Sequence, residues 1–469
     1  MLRVSVAAEK AGVPSASIVT SSFMPLAGAI SKSLGVEAPA IAEYAGVPMI
    51  DTDEELRGKV ISNLLPQILN ALGGEREKIN TNQLVAEPSP ADIVFRGSLQ
   101  QVQDHFDDRL WSDGLPVVPP TIQRVEEFLS YTERAPHEVI GICLPEYREA
   151  TPWNIAVNGV MAGCRPEYMP VLIAVVEAIT DPAFYLEDGG VTPGWEPLIT
   201  ISGSIIKDLD FNYKEGVMRV GRKANTSIGR FVRLYMRNVP GQRIPPGTTD
   251  KATIGISFNV VLAENEDAAT DMHWPTYGMD RGFARCENAV TVQSVVSVSQ
   301  PVYTGGREAR NHVQIMSEAH GPMFAYWAFT GMRHNSWYPL IVMSPSVAQA
   351  IAGDGWSKDD VRNYLYEHTK VKAGLAQKFA RNAAVNDFDF KDLVDRGVIS
   401  AKYHESADPE RLVPVFFKAE WISIVVAGDP GRNQSRSYMQ NHRHGVPVSK
   451  RISLPANWHE RLRRRKQAN

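Results

Sequence analysis

Ala16-Ser-Ile-Val-Thr-Ser-Ser-Phe-Met-Pro-Leu-Ala-Gly-Ala-Ile-Ser-Lys-Ser-Leu-Gly35 opens with a short β-prone run, Ala16 to Thr20. Helical spacing follows from Ser22, and Gly35 closes it. Val47-Pro-Met-Ile50 reads as a second strand, and Asp51-Thr-Asp-Glu-Glu55 opens a long amphipathic helix through Leu72. Its acids fill the first turn, where the helix dipole favours negative charge. Val60, Leu64, Leu65, Ile68 and Leu72 share one face, and Gly73-Gly74 ends the helix. Strand, helix, strand, helix is the alternation of an α/β layer.

The alternation recurs outward from this stretch. Residues 75–95 are polar, contain Pro88 and Pro90, and read as a linker. From Gly97 the pattern predicts a helix over Gln100–Trp111, a proline-locked extended segment over Trp111–Pro120, and a helix after Thr121. Then come a strand at Glu138–Leu144, helices at Asn154–Gly163 and Pro166–Thr180, and a strand at Leu198–Ile206. A helix at Ser227–Asn238, capped by Asn225-Thr226-Ser227, and a strand at Ala252–Ala263 complete this part. Past residue 285 the same kinds of element return. Strands fall at Ala289–Val298, Leu340–Met343 and Trp421–Ala427, and an edge strand at Val446–Leu454. Helices fall at Arg307–Ala319, Ser346–Gly353, Lys358–His368 and Val371–Ala383. The expectation is an α/β fold with mostly parallel sheets flanked by helices, in two or three layered subdomains. These are an N-terminal α/β domain with linker (1–95), a central α/β domain (96–284) and a C-terminal α/β domain packed on it (285–469).

Composition narrows the function. Of 469 residues, 43% are hydrophobic and 22% charged, which is globular rather than disordered. With 49 Lys+Arg against 53 Asp+Glu, the net charge of −4 argues against a nucleic-acid partner. The one basic run, Arg461–Lys466, reads as a solvated tail. Three cysteines cannot build a disulfide framework, which fits a reducing cytoplasm. The longest apolar runs, Met169–Ile179 and Trp421–Gly428, fall short of the roughly 20 residues that span a bilayer. Glu9 and Lys10 stand where a signal peptide needs apolar residues. The expected protein is cytoplasmic, binds no membrane, and by its size and aromatic content is a homo- or hetero-oligomer.

Several constellations could carry chemistry. In Gly163-Cys164-Arg165-Pro166-Glu167, Pro166 suits the first turn of a helix, which sets Cys164 at a helix N-terminus. Oriented N–H groups and Arg165 would favour a thiolate there, although the same pattern suits a small packed residue. Gly221-Arg-Lys-Ala-Asn225-Thr-Ser-Ile-Gly-Arg230 runs a glycine-bearing loop into a helix. Asn225, Thr226, Ser227 and Arg230 could hold a small anion, with Arg233 one turn on; capping alone would look the same. Val426-Ala-Gly428-Asp-Pro-Gly431-Arg432-Asn433 reads as a strand-to-helix loop at a sheet edge. Among eleven histidines, His442-Arg-His444 and the set His312, His320 and His334 are the metal-ligand candidates; satisfied surface side chains are the plainer reading. His273 and Asp113 are proton-transfer candidates, and Glu187-Asp188 before two glycines marks a turn. No Rossmann fingerprint is present, so no tightly held dinucleotide is expected; the cofactor is open, a metal included.

Three of these segments look familiar together. Trp111-Ser-Asp-Gly-Leu-Pro-Val-Val-Pro-Pro-Thr121, Val160-Met-Ala-Gly-Cys-Arg-Pro-Glu-Tyr-Met-Pro170 and Ala224-Asn-Thr-Ser-Ile-Gly-Arg230 resemble the UGSC-motif (seleno)protein family. So does Ala8–Phe23, and the chain is more loosely similar to the selenoprotein subunit of glycine-reductase-type enzymes. The resemblance covers the chain to about residue 265. It implies a Sec/Cys-Gly-Ser-Cys redox element ahead of the Ala8–Phe23 segment. Leu2-Arg3-Val4-Ser5-Val6 stands there instead, and no cysteine precedes Cys143. Only Cys164 carries over from the family pattern. A second subunit bearing the Cys-Gly-Ser-Cys element is therefore a candidate partner.

Together these readings predict an enzyme or enzyme subunit acting on a small polar, anionic molecule by thiol-linked redox or lyase-type carbon–heteroatom chemistry. Cys164 would be the reactive thiol, Asp113 or His273 would move protons, and Arg165, Asn225, Thr226, Ser227 and Arg230 would bind substrate. The alternatives are a metal-dependent hydrolase or oxidase using His442 and His444, and a non-catalytic partner of a thiol-bearing protein.

Overall fold

A computed structural model describes residues 2–33, 40–46, 48, 51–73, 89, 91–190, 194–243, 256–382, 388–442 and 445–468. By contacts the chain forms two units, 1–94 with 241–252, and 95–240 with 253–469.

The first unit runs α1 (Leu2–Lys10), β1 (Ser17–Thr20), α2 (Met24–Ser33), β2 (Ile41–Tyr44), α3 (Asp53–Lys59) and α4 (Leu65–Gly73). β1 and β2 pair in parallel, Ser17 opposite Ile41. The strand expected at Val47–Ile50 lies at residues outside those described apart from Pro48, and β2 precedes it. Most of the linker expected at 75–95 is outside them too. Thr52 and Glu55 form a capping box at the start of α3. A π-helical turn, Val60–Leu64, joins α3 to α4. It widens the buried spacing to four, so that Leu56, Val60, Leu64 and Ile68 face Ala42 and Tyr44. Leu65 and Leu72, expected on that face, are turned outward.

The second unit begins with α5 (Leu99–Asp108), α6 (Ile122–Leu129), the hairpin β3 (Gly141–Cys143) and β4 (Arg148–Ala150), α7 (Pro152–Met161) and α8 (Met169–Ile179). β5 (Glu196–Ser202), α9 (Ile205–Asp208), α10 (Lys223–Asn238), β6 (Leu262–Ala263), α11 (Glu266–Asp271), α12 (Tyr277–Asp280) and β7 (Ala289–Val298) follow. Then come β8 (Val302–Tyr303), α13 (Ala309–Thr330), β9 (Leu340–Met343), α14 (Pro345–Gly353), α15 (Lys358–His368), β10 (Lys370–Lys372), α16 (Ala373–Asn382) and α17 (Phe390–Asp395). β11 (Leu412–Pro414), β12 (Ser423–Val426), β13 (Gln434–Gln440), β14 (Val448–Arg451) and α18 (Trp458–Ala468) complete it.

Its main sheet has eight strands, ordered β12-β9-β13-β7-β5-β6, with β14 on β7 and β8 on β13. Only β12/β9 and β5/β6 are parallel; the other pairings are antiparallel. The α/β class holds, but the mostly parallel sheet does not: the sheet is mixed. The strand order is a palindrome. In each half a first strand pairs in parallel with a second reached through helices, and antiparallel with a third, and the third strands, β7 and β13, meet at the centre. The sheet therefore draws strands from both 96–284 and 285–469. Its two ends curl together, since the Asn265 N–H after β6 donates to the Val426 carbonyl of β12 (2.7 Å).

Alternate side chains explain the layers. Leu198, Leu262, Val295, Leu340, Val425 and Tyr438 form one core inside the curl. On the opposite face Ile199, Ile201, Val290 and Val292 pack with α7, α8 and α10. Ile341, Met343, Ile424 and Val426 pack with α13, α14 and α15. Sequence reading stops α13 at Ala319 before Gly321-Pro322, yet the helix continues to Thr330. Pro322 is on the solvent side, where the carbonyl it leaves unpaired can be hydrated. The basic run is no free tail either. It forms α18, which buries Trp458 and Leu462 in the first core. Among the described residues no single helix is long and apolar enough to cross a membrane, and α8, the most apolar, is a core helix.

Candidate functional site

Three segments of the second unit converge. Gly163, at φ +75°, turns the chain out of α7, and Pro166 opens a 3-10 turn that leads into α8. Cys164 sits in this turn, 9% exposed. Beside it lie the first turns of α10, where Ser227 and the charges of Lys223 and Arg230 act to lower the pKa of the sulfur. Burial nevertheless dominates and pushes the thiol up to about 12. The expected thiolate at Cys164 is thus corrected. Desolvation of the sulfur outweighs every cation near it. Arg165 is not one of those cations; it points to Glu167 (3.9 Å), which Arg465 of α18 approaches from another direction (3.8 Å).

The third segment is the loop around Asp113. Arg230 clasps that carboxylate with both arms, Nε to Oδ2 at 2.9 Å and Nη2 to Oδ1 at 2.7 Å. Nη2 also donates to the carbonyls of Leu115 (3.2 Å) and Pro116 (3.0 Å). Burial is the largest influence on Asp113 and acts upward, but the Arg230 bonds and charge, with backbone N–H donors, hold it below the ordinary carboxylate range. Asp113 is therefore a fixed carboxylate rather than a proton shuttle, and the fork expected to take a substrate anion holds an anion of the protein itself.

The expected cap is also revised. Helix α10 starts at Lys223 with Arg222 as N-cap, so Asn225, Thr226 and Ser227 lie within its first two turns. Asn225 is buried and bridges backbone: its Oδ1 accepts from Asn212 N–H (2.8 Å) and its Nδ2 donates to the Asn212 and Val261 carbonyls (both 3.0 Å). Thr226 Oγ1 accepts from Gly221 N–H (3.1 Å), and Ser227 Oγ donates to the Lys223 carbonyl (2.6 Å). Asn225 is a structural residue, because every arm of its amide is used. Arg233 pairs with Glu196 (3.4 Å).

The remaining candidates fall elsewhere. His273 is exposed, at φ +58°, and its neighbours Ala268 and Trp274 pack in the second core rather than in the first with Cys164. His442 follows β13 and stacks on Trp327 (4.4 Å between centroids), so it is not on a strand; His444 lies outside the described residues. His312 and His320 are buried, not on the surface. His312 contacts Thr304 Oγ1 (2.7 Å) and the Gly306 carbonyl (3.1 Å), and burial pushes His320 down to about 4. Among the described residues no three His, Cys, Asp or Glu side chains converge as metal ligands. The loop after β12 leads to β13, not to a helix, and Asp429 caps its own turn through Gly431 N–H (2.7 Å).

Sequence reasoning passed over two groups. Lys223 lay within the quoted loop without a role, and it is the second cation near the sulfur. A buried network joins Glu264, just past β6, to Lys358 (4.0 Å), which meets Asp280 (3.0 Å), itself bound by Arg362 (2.7 Å). Its one sequence signal was a lysine in the first turn of α15, where the helix dipole disfavours a cation.

The fold and the junction define a mixed α/β protein with a shielded thiol beside two cations. The UGSC family model matches residues 1–74, so this N-terminal region is similar to that family. The motifs at 111–121, 160–170 and 224–230 lie outside the matched region, and the match carries no likeness to the selenoprotein subunit of glycine-reductase-type enzymes. No curated protein and no solved structure matches.

Proposed function

We propose that this chain is an enzyme, or a subunit of one, that acts on a small anionic molecule at the junction of the Cys164 turn, the first turns of α10 and the Asp113 loop. The observation that supports this reading is the sulfur's set of neighbours. Burial is the one influence that raises its pKa, while Ser227, Lys223 and Arg230 all lower it. When water reaches the sulfur, the desolvation is relieved and the charges of Lys223 and Arg230 remain. The thiol then ionises more readily than in the closed junction, fit to serve as nucleophile or proton carrier in lyase-type cleavage of a carbon–heteroatom bond. All three cysteines are free thiols. A redox cycle at Cys164 would therefore take its second thiol from elsewhere, and we favour the lyase-type class.

The test uses malonate and inorganic phosphate as probes, followed by calorimetry. The native protein should bind at least one of them. Lys223→Glu should weaken that binding about tenfold or more, because it reverses an exposed charge that makes no ion pair among the described residues. Binding that Lys223→Glu leaves unchanged, or no binding of either probe, would remove the anion-site reading. Once a turnover assay exists, Cys164→Ser should abolish turnover at unchanged melting temperature.

A further inference from the structure

The loop over Arg230 is held firmly at both ends. The Leu110 carbonyl accepts from Arg237 Nε (2.7 Å), and the Trp111 carbonyl from Asn238 Nδ2 (3.0 Å). At the far end Gln103 exchanges two bonds with the Val117 backbone (2.8 and 2.9 Å), and Val118 N–H donates to the Met161 carbonyl (3.2 Å). Ser112 is tied to Asp107 by its hydroxyl. Among the described residues, the polar ties of 113–116 to other elements all run through Arg230. Gly114 sits at φ +83°, and Leu115 is 59% exposed, so the middle of the loop makes little apolar contact. Removing one ion pair frees four residues without touching either anchor.

Resting on the reading of this junction as an anion site, we propose that Arg230 is a recognition site for the carboxylate of a small dicarboxylate, held shut by Asp113 acting as an internal stand-in. The fork geometry is the one a guanidinium uses for any carboxylate. Displaced Asp113 moves into water, where its charge is well solvated, and the incoming carboxylate takes over the same two bonds. A tethered carboxylate on a short loop competes at an effective concentration in the millimolar range or above. A monocarboxylate therefore displaces it poorly. A ligand with a second carboxylate also engages Lys223, the exposed cation two turns before Arg230 on α10 whose charge also reaches the sulfur. Exchange lifts residues 113–116, opens the approach to Cys164, and couples ligand recognition to exposure of the thiol.

The experiment is peptide-resolved alkylation of the three cysteines by iodoacetamide in the full chain, with and without malonate or succinate, and with acetate as the one-carboxylate control. Cys286, exposed, and Cys143, fully buried, report on reagent and fold. Malonate or succinate should raise the Cys164 rate about tenfold or more and leave the other two unchanged, while acetate should do far less. Asp113→Asn keeps the shape and removes the competing charge. It should raise Cys164 labelling without ligand and tighten malonate binding about tenfold. If Asp113→Asn binds malonate no more tightly than the native protein, and no dicarboxylate changes Cys164 labelling, the stand-in is overturned. Malonate binding that persists in both proteins and is lost in Lys223→Glu would then leave the anion site standing. Absence of malonate and phosphate binding in both proteins would sink the site along with the gate. Should Asp113→Asn fold poorly, labelling of the native protein with and without malonate decides alone.

Discussion

The residue that follows the second parallel strand is Glu264 in one half of the large sheet and Ala427 in the other. The two occupy equivalent ladder positions: Glu264 N–H donates to the Ile201 carbonyl (3.2 Å) and Ala427 N–H to the Met343 carbonyl (3.0 Å). The first half thus buries a carboxyl where the second buries a methyl group. Burial pushes Glu264 up to about 8, against the pull of Lys358 and of the Tyr277 N–H that donates to both its oxygens. Its cationic neighbour comes from α15 in the other half, so the network stitches the two halves together. The second half buries His320 instead, and satisfies it locally: Ser437 Oγ of β13 lies 3.1 and 3.2 Å from the ring nitrogens. One topology therefore admits two solutions, a charge network that spans the halves and a neutral imidazole kept within one. What the topology demands is that buried polar atoms find partners, not that they be the same atoms.

The comparison breaks most visibly at Lys358. Lys358→Ala leaves Asp280 and Glu264 buried with less positive charge, and should cost about 3–5 kcal/mol in denaturant unfolding. Replacing Lys358 by Met and Asp280 by Asn together should recover much of that loss, since Arg362 keeps Asp359 and the Ile422 carbonyl; equal loss in the double variant would mean that shape, not charge, joins the halves.

Next in size is the pH dependence, where the halves should oppose each other. Glu264 holds its proton in the folded chain at pH values where the unfolded chain has lost it. Its contribution therefore falls as pH rises from the unfolded value of 4.5 to about 8. His320 stays neutral in the folded chain while the unfolded imidazole takes a proton, so its contribution falls as pH drops from 6.5 to about 4. Glu264→Gln should flatten the alkaline-side decline of stability, and His320→Gln the acid-side one. If either substitution moves the limb assigned to the other, the division of labour is wrong.

The smallest expected effect is Ser437→Ala. It removes the hydroxyl partner of a buried imidazole and should cost about 1–3 kcal/mol, with no effect on the alkaline limb. A change in that limb would show that the network and the imidazole communicate.

Much of this architecture was legible in residue order. Apolar β-prone runs at Ala289–Val298, Leu340–Met343 and Trp421–Ala427 announced β7, β9 and β12, since strands buried on both faces are usually rich in apolar residues. Strand β13 was not announced. Gln434-Ser-Arg-Ser-Tyr-Met-Gln440 is mostly polar, yet it lies between β9 and β7 near the middle of the sheet. Ser437 is buried because Ser299 accepts its N–H and His320 of α13 meets its hydroxyl, and no local pattern encodes partners that are distant in sequence. That unseen strand is also why the sheet read as parallel: without β13, the antiparallel seam between the halves is invisible.

The candidate site divides the same way. Local sequence determined the turn at Gly163–Pro166, the proline-locked loop at 111–120 and a helix rich in Arg, because glycine, proline and capping rules act over a few residues. It also supplied Cys164 and Arg230 as the groups of interest. Only the tertiary structure decided their state. Packing against the first core desolvates the sulfur and raises its pKa, and the fold brings Asp113, 117 residues away, onto the guanidinium that the sequence reading expected to hold a substrate anion. Burial and charge pairing depend on which atoms share a small volume, and that is set by the whole chain at once.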